Sequence, residues 1–209
     1  MKLIVTLFFL SLSSFCCTQS KDGSYDLKFK IETGKITAQE ALLDNQYMSI
    51  HHTDSFRSVM KAFAPKGNLK ITNENEFGEK IKVNCVLKDE EGNLLPNVLV
   101  YLYHTDNTGV YGDNTNPRLF GYVYTDVNGK IQVETIKPVG YPKSEAPRHI
   151  HIEVYHKGFK DYISEFLFND DERLTETLRK DMLTHGVLIS SFDYTGKIPS
   201  IDYTVVLKK

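Results

Sequence analysis

A chain of 209 residues with 41% hydrophobic and 25% charged side chains has the make-up of an ordinary globular protein and is long enough to bury one good core. Its formal net charge of -2, with no basic arm and no aromatic-basic stripe, gives no reason to expect a nucleic-acid partner. No internal repeat or low-complexity segment breaks it into several units.

The first seventeen residues stand apart. Lys2 precedes an apolar run from Leu3 to Leu10, followed by Ser11-Leu12-Ser13-Ser14-Phe15 and the pair Cys16-Cys17. The run is too short to cross a bilayer as a helix, and its basic start gives it the form of an export signal. A cysteine closing such a run resembles a bacterial lipoprotein signal, which predicts a lipid on Cys17 and a place in the cell envelope, periplasmic or at the outer membrane. Any membrane association is expected through that anchor alone. After processing, Cys85 has no cysteine to pair with beyond the anchor, so an oxidising compartment implies no disulfide.

Residues 18–35 are polar and punctuated by Gly and Ser, and read as a tether. Residues 36–75 read as a helical segment. Thr37 with Glu40 three positions on has capping-box spacing for a helix running to about Ile50, and a second helix starts near Asp54 and stops before Pro65-Lys66-Gly67. These helices are expected to cap a sheet or to join two copies of the chain as a homo-oligomer.

Residues 76–209 read as a β domain. Ile81, Val83, Cys85 and Leu87 alternate with polar residues, as on a half-exposed strand, and Val98 to Tyr103 is a more fully buried one. The turn Asp126-Val127-Asn128-Gly129 separates Tyr122-Val123-Tyr124 from Ile131-Gln132-Val133. Phe166-Leu167-Phe168, a short helix from about Thr175 to Leu183, and a closing strand Tyr203 to Leu207 complete the series. Strands at this spacing predict a mainly β fold, an antiparallel β-sandwich with N-terminal helices.

The chemistry concentrates in Tyr141-Pro142 and Arg148-His149-Ile150-His151-Ile152-Glu153-Val154. Residues two apart on a strand share a face, so His149 and His151 present both imidazoles to one side while Ile150, Ile152 and Val154 turn to the other. Two imidazoles and a phenol beside a proline-stiffened turn form a candidate transition-metal site. His104, at the end of a buried strand, reads as a hydrogen-bonded structural histidine, and Asp106 as the cap of the turn that follows. His51-His52, between two helices, reads as a solvated linker pair.

Upstream of the histidines stand Tyr103-His104-Thr105-Asp106, Gly109-Val110-Tyr111, Gly121-Tyr122-Val123-Tyr124-Thr125-Asp126 and Gly140-Tyr141-Pro142. In their order and spacing these pieces, with His149-Ile150-His151, resemble the intradiol ring-cleavage dioxygenases, which include the catechol and protocatechuate dioxygenases. The resemblance spans roughly residues 76 to 208. It implies a prealbumin-like β-sandwich and a non-haem iron(III) held by Tyr111, Tyr141, His149 and His151. It also implies an aromatic ortho-diol of the catechol type and O2 as the reactants. Arg118 and Arg148 are the candidate cations for the diol.

The chain departs from the family pattern at three places. The interval from Gly112 to Thr125 is shorter, Ala146 stands three before His149 where the family commonly has arginine, and Glu165 appears where a glutamine is often found. The competing expectation is therefore a metal-binding or metal-free β-sandwich that binds or interacts in the cell envelope without dioxygenase activity. Copper or zinc would also accept imidazole and phenol donors with an open position.

Overall fold

The computed structural model describes residues 23–112 and 116–209. The expected signal segment, with Cys16 and Cys17, lies outside the described residues. Three α-helices and a 3-10 helix come first: α1 (Ser24–Glu32), α2 (Ala38–Leu43), the 3-10 helix (Asn45–Ile50) and α3 (Asp54–Ala62). The strands follow as β1 (Asn68–Lys70), β2 (Lys80–Asp89), β3 (Leu99–His104), β4 (Leu119–Tyr124), β5 (Lys130–Ile136), β6 (His149–Val154) and β7 (Tyr162–Phe168). Then come α4 (Glu176–Thr184), β8 (Leu188–Ser190), β9 (Phe192–Asp193) and β10 (Ser200–Leu207).

The strands make two five-stranded sheets, β1-β5-β2-β10-β9 and β4-β3-β6-β7-β8, which is the expected sandwich. Most neighbours run antiparallel, but β1 with β5, β2 with β10 and β7 with β8 run parallel, so each sheet is mixed. The β2–β10 pairing holds from Lys82–Ser200 to Asp89–Leu207. These two strands are joined by the whole second sheet and not by a tight turn, which is the long connection that parallel neighbours need.

The core lies between the sheets. Ile81, Val83, Cys85 and Leu87 of β2, Val100 and Leu102 of β3, Ile150, Ile152 and Val154 of β6, and Val205 and Leu207 of β10 are all buried. Each such aliphatic side chain contributes about 1.5–3 kcal/mol relative to remaining in water. The Cys85 thiol is pushed up to about 12 by burial, which makes it an inert apolar filler.

The N-terminal region differs from its sequence reading in three respects. The stretch read as a tether contains α1, whose Leu27 is fully buried and which packs on α3. Its polar composition hid the few residues that pack, Leu27 with Ser24 and Ile31. The Thr37–Glu40 capping box is present, but α2 ends at Leu43, because Asp44 is extended and caps the 3-10 helix through Gln46 N–H. Finally, β1 falls inside the segment read as helical and joins the sandwich beside β5. Phe56, Val59 and Met60 of α3 are buried, and the helix packs against β4, so the helices cap the sandwich.

Candidate metal centre

Strand β6 divides its side chains as its alternation requires. Ile150, Ile152 and Val154 enter the core, and His149 and His151 stand together on the opposite face of the sheet. His149 Nδ1 lies 2.7 Å from the Pro147 carbonyl, so that nitrogen donates its N–H and leaves Nε2 as the ring atom available to a metal. His151 is paired across the sheet with Tyr103 on β3 and Glu165 on β7. The Tyr103 ring stacks on the His151 imidazole at 4.5 Å and 17°.

Two loops bring phenols to these nitrogens. Tyr111 Oη is 2.8 Å from His151 Nε2, and Tyr141 Oη is 3.1 Å from His149 Nε2 and 3.3 Å from His151 Nε2. The two phenol oxygens touch each other, and the two Nε2 atoms are 3.1 Å apart. Four donor atoms from β6 and two separate loops therefore converge on one point.

This donor set fits a hard cation. Five mutual contacts join the four atoms, yet at most three protons serve them: one on each phenol and one on a neutral His151. Some lone pairs must face lone pairs, an arrangement that a metal ion relieves. His151 is pushed down to about 4 by burial and then by His149, so it is neutral at pH 7 and open to a metal. Burial, and then the contact with Tyr141, push the Tyr111 phenol well above its ordinary range. A bound cation would reverse that shift by stabilising the phenolate.

Glu165 adds a carboxylate, 3.8 Å from His149 Nε2 and 3.7 Å from His151 Nδ1, and the three residues form a group able to hold a metal. Both arginines expected to meet a diol are engaged by carboxylates. Arg148 donates from Nε (3.0 Å) and from its backbone N–H to Asp171, whose side chain is 1% exposed. Arg118 is forked on Glu76 and reaches Asp106.

Asp106 caps its turn as expected: Oδ1 accepts from Thr108 N–H at 2.8 Å and from Thr108 Oγ1 at 2.6 Å. His104 is the structural histidine it was read to be, with Nδ1–H on the Thr105 carbonyl and Nε2 facing Thr135 Oγ1, each at 2.7 Å. His51 is a correction. It is buried at 4% exposure, stacked 4.5 Å from Phe56, and among the described residues neither ring nitrogen has a partner in hydrogen-bond geometry. The 3-10 helix turns it inward, while the adjacent His52 stays exposed.

Sequence reasoning missed Arg173, whose Nη1 donates to the Ala146 carbonyl at 3.3 Å and packs against Gly140 beside Tyr141. No spacing rule ties Arg173 to a loop some thirty residues upstream. The only local hint is Gly140 itself, where a Cβ would fall 1.9 Å from that guanidinium nitrogen.

The dioxygenase family model matches residues 55–208. Among solved structures, the chain is similar to the dioxygenase domain of a dioxygenase carbohydrate-binding protein fusion from Streptomyces sp. SirexAA-E. The identity is 22%, with 69% of this chain and 89% of that one covered and a TM-score of 0.58. Catechol 1,2-dioxygenase from Pseudomonas arvilla C-1 is 15% identical over 89% of this chain and 76% of its own, also with a TM-score of 0.58. Hydroxyquinol 1,2-dioxygenase from Pseudomonas putida DLL-E4 is 18% identical over 69% of this chain and 62% of its own, with a TM-score of 0.55. These likenesses establish a shared fold, and the family model covers most of the chain. The chain thus belongs to the dioxygenase family, among the intradiol ring-cleavage dioxygenases.

Proposed function

We propose that this protein is a non-haem iron(III)-dependent dioxygenase of the intradiol type, opening the ring of a catechol-like ortho-diol with O2. The observation that carries the reading is the meeting of Tyr111, Tyr141, His149 and His151 at one point, with every pair of donor atoms in contact except Tyr111 Oη with His149 Nε2. Two phenolates and two imidazoles suit a hard trivalent ion. When bound, such an ion supplies the means of activating a diol toward O2.

The protein's own residues prepare that site. The Pro147 carbonyl fixes the His149 tautomer and points Nε2 at the phenols. Tyr103 stacked on His151 holds the second imidazole in its plane. A cavity bordering Tyr111, shared by Met48, Ser49, His52, Asn116 and Arg118, leaves open space beside the site. The Glu165 carboxylate repels an anionic diolate and so favours a diol that arrives neutral.

A second reading has one specific observation behind it. His149, His151 and Glu165 form a two-histidine, one-carboxylate group, a donor set that zinc also accepts. We also propose that the protein is exported and anchored through Cys17, on the strength of the short apolar run ending at the paired cysteines.

The test is metal analysis and oxygen uptake on protein purified without a His-tag. Iron at one per chain, a broad visible band, and ring-opened dicarboxylate products from a panel of substituted catechols are the expected results. Colourless zinc protein would favour the second reading. Iron-loaded protein that binds catechols and consumes no oxygen would leave a binding module.

A further inference from the structure

Arg118 is held in a way that ill suits a substrate cation. Nη1 and Nη2 donate to the two Glu76 oxygens at 2.8 and 2.9 Å, a bidentate fork, and Nη2 also reaches Asp106 Oδ2 at 3.3 Å. The Glu76 and Asp106 side chains are only 10% and 12% exposed. Two carboxylates on one guanidinium leave the cluster net negative, so it repels a diolate. Drawing the arginine away would leave two largely buried carboxylates without their counter-charge.

The same residue closes both ends of the segment that delivers Tyr111. Its side chain holds Asp106, where the segment begins, and its backbone N–H donates to the Tyr111 carbonyl at 2.7 Å, where the segment ends. Between those points Asp106 Oδ1 accepts from Thr108, and Asp106 N–H donates to the Val110 carbonyl at 2.9 Å. The opposite wall is tied down as well: Thr105 Oγ1 donates to the Val139 carbonyl at 2.7 Å, two residues before Tyr141.

We propose that Arg118, through its pairs with Asp106 and Glu76, is a positioning residue that holds the Tyr111 phenol against Tyr141 and His151. The role is mechanical. A phenol on a short loop is held in place when its backbone is fixed at both ends, and here one residue fixes both, the Asp106 end through its guanidinium and the Tyr111 end through its backbone N–H. The spectroscopic arm of the test rests on the iron reading above; a second arm does not.

The test compares wild type, Arg118→Gln, Arg118→Lys, Asp106→Asn and Tyr111→Phe in the full chain. With iron(III) added, Arg118→Gln should lose part of the visible phenolate band that Tyr111→Phe removes, and the double variant should lose no more than Tyr111→Phe. Arg118→Lys, which keeps the charge without the fork, should recover part of the band. Asp106→Asn, the gentler change if Arg118→Gln folds poorly, should show a partial loss. A full band in Arg118→Gln, with only a raised KM for catechol, would overturn the proposal and restore Arg118 as a substrate cation.

The second arm uses metal-free protein with fluorotyrosine in place of Tyr111, read by fluorine NMR. Arg118→Gln should move the resonance to where Tyr141→Phe puts it, since both break the phenol–phenol contact. An unmoved resonance would overturn the positioning role even in a protein that takes up no iron. Absence of any band in wild type would count against the iron reading alone.

Discussion

Gly109 lies so close to Gly140 that a Cβ on Gly109 would fall 2.4 Å from the Gly140 carbonyl oxygen and 3.1 Å from Pro142 Cδ. These two glycines sit in the loops that carry Tyr111 and Tyr141, so their contact sets how near the two phenols come. The Gly109 backbone also has φ of 81°, a left-handed conformation that costs a residue with a side chain about 1–3 kcal/mol.

Gly109→Ala should therefore lower stability by at least that amount and push the two phenol loops apart. Urea unfolding would give the first effect and iron stoichiometry the second. Wild-type stability together with full iron uptake would show that the loops meet without needing the glycine.

Substitutions at the four donors should separate their roles. His151→Ala should remove most of the metal, because it deletes one of four protein donors and the ring that stacks on Tyr103. Tyr111→Phe and Tyr141→Phe should each weaken or shift the visible band, and together they should bleach it. Iron and colour surviving in the double variant would place the metal elsewhere.

Acid should unfold the metal-free protein in a defined window. Burial pushes His51 and His104 down from the ordinary 6.5 to about 4. Between pH 6.5 and pH 4 the unfolded chain thus binds more protons than the folded one, and stability falls as pH falls through that range. His51→Phe should flatten the slope, and it should cost little at pH 7, since the His51 ring stacks on Phe56 and neither nitrogen is in hydrogen-bond geometry with any described residue. Urea midpoints measured across this window decide it. A slope unchanged in His51→Phe would assign the acid sensitivity to other groups.

Labelling with a fatty-acid analogue tests the anchor. Wild type should take up the label and fractionate with membranes, and Cys17→Ala should do neither. Equal soluble release of both forms would remove the anchor from the account.

Much of the site was legible in the chain because β periodicity is local. Alternation alone put His149 and His151 on one face and Ile150 and Ile152 on the other, and Thr37 with Glu40 announced its capping box. The resemblance to a known family brought Tyr111 and Tyr141 into the same frame. Composition and period could not reach events between distant segments. The stretch whose polarity read as a tether is helical because α1 packs on α3 with Leu27 fully buried, and tertiary packing outweighs local propensity. His51 went inward because the 3-10 helix, with α3 behind it, left an aromatic slot beside Phe56 and Phe120. Arg118 looked like a substrate cation until Glu76, forty-two residues away, took its fork. Residue types and their alternation thus determined which groups could form the site. Only tertiary packing decided that Arg118 and Arg148 were paired with Glu76, Asp106 and Asp171, because those partners are distant in sequence and meet them only in the folded chain.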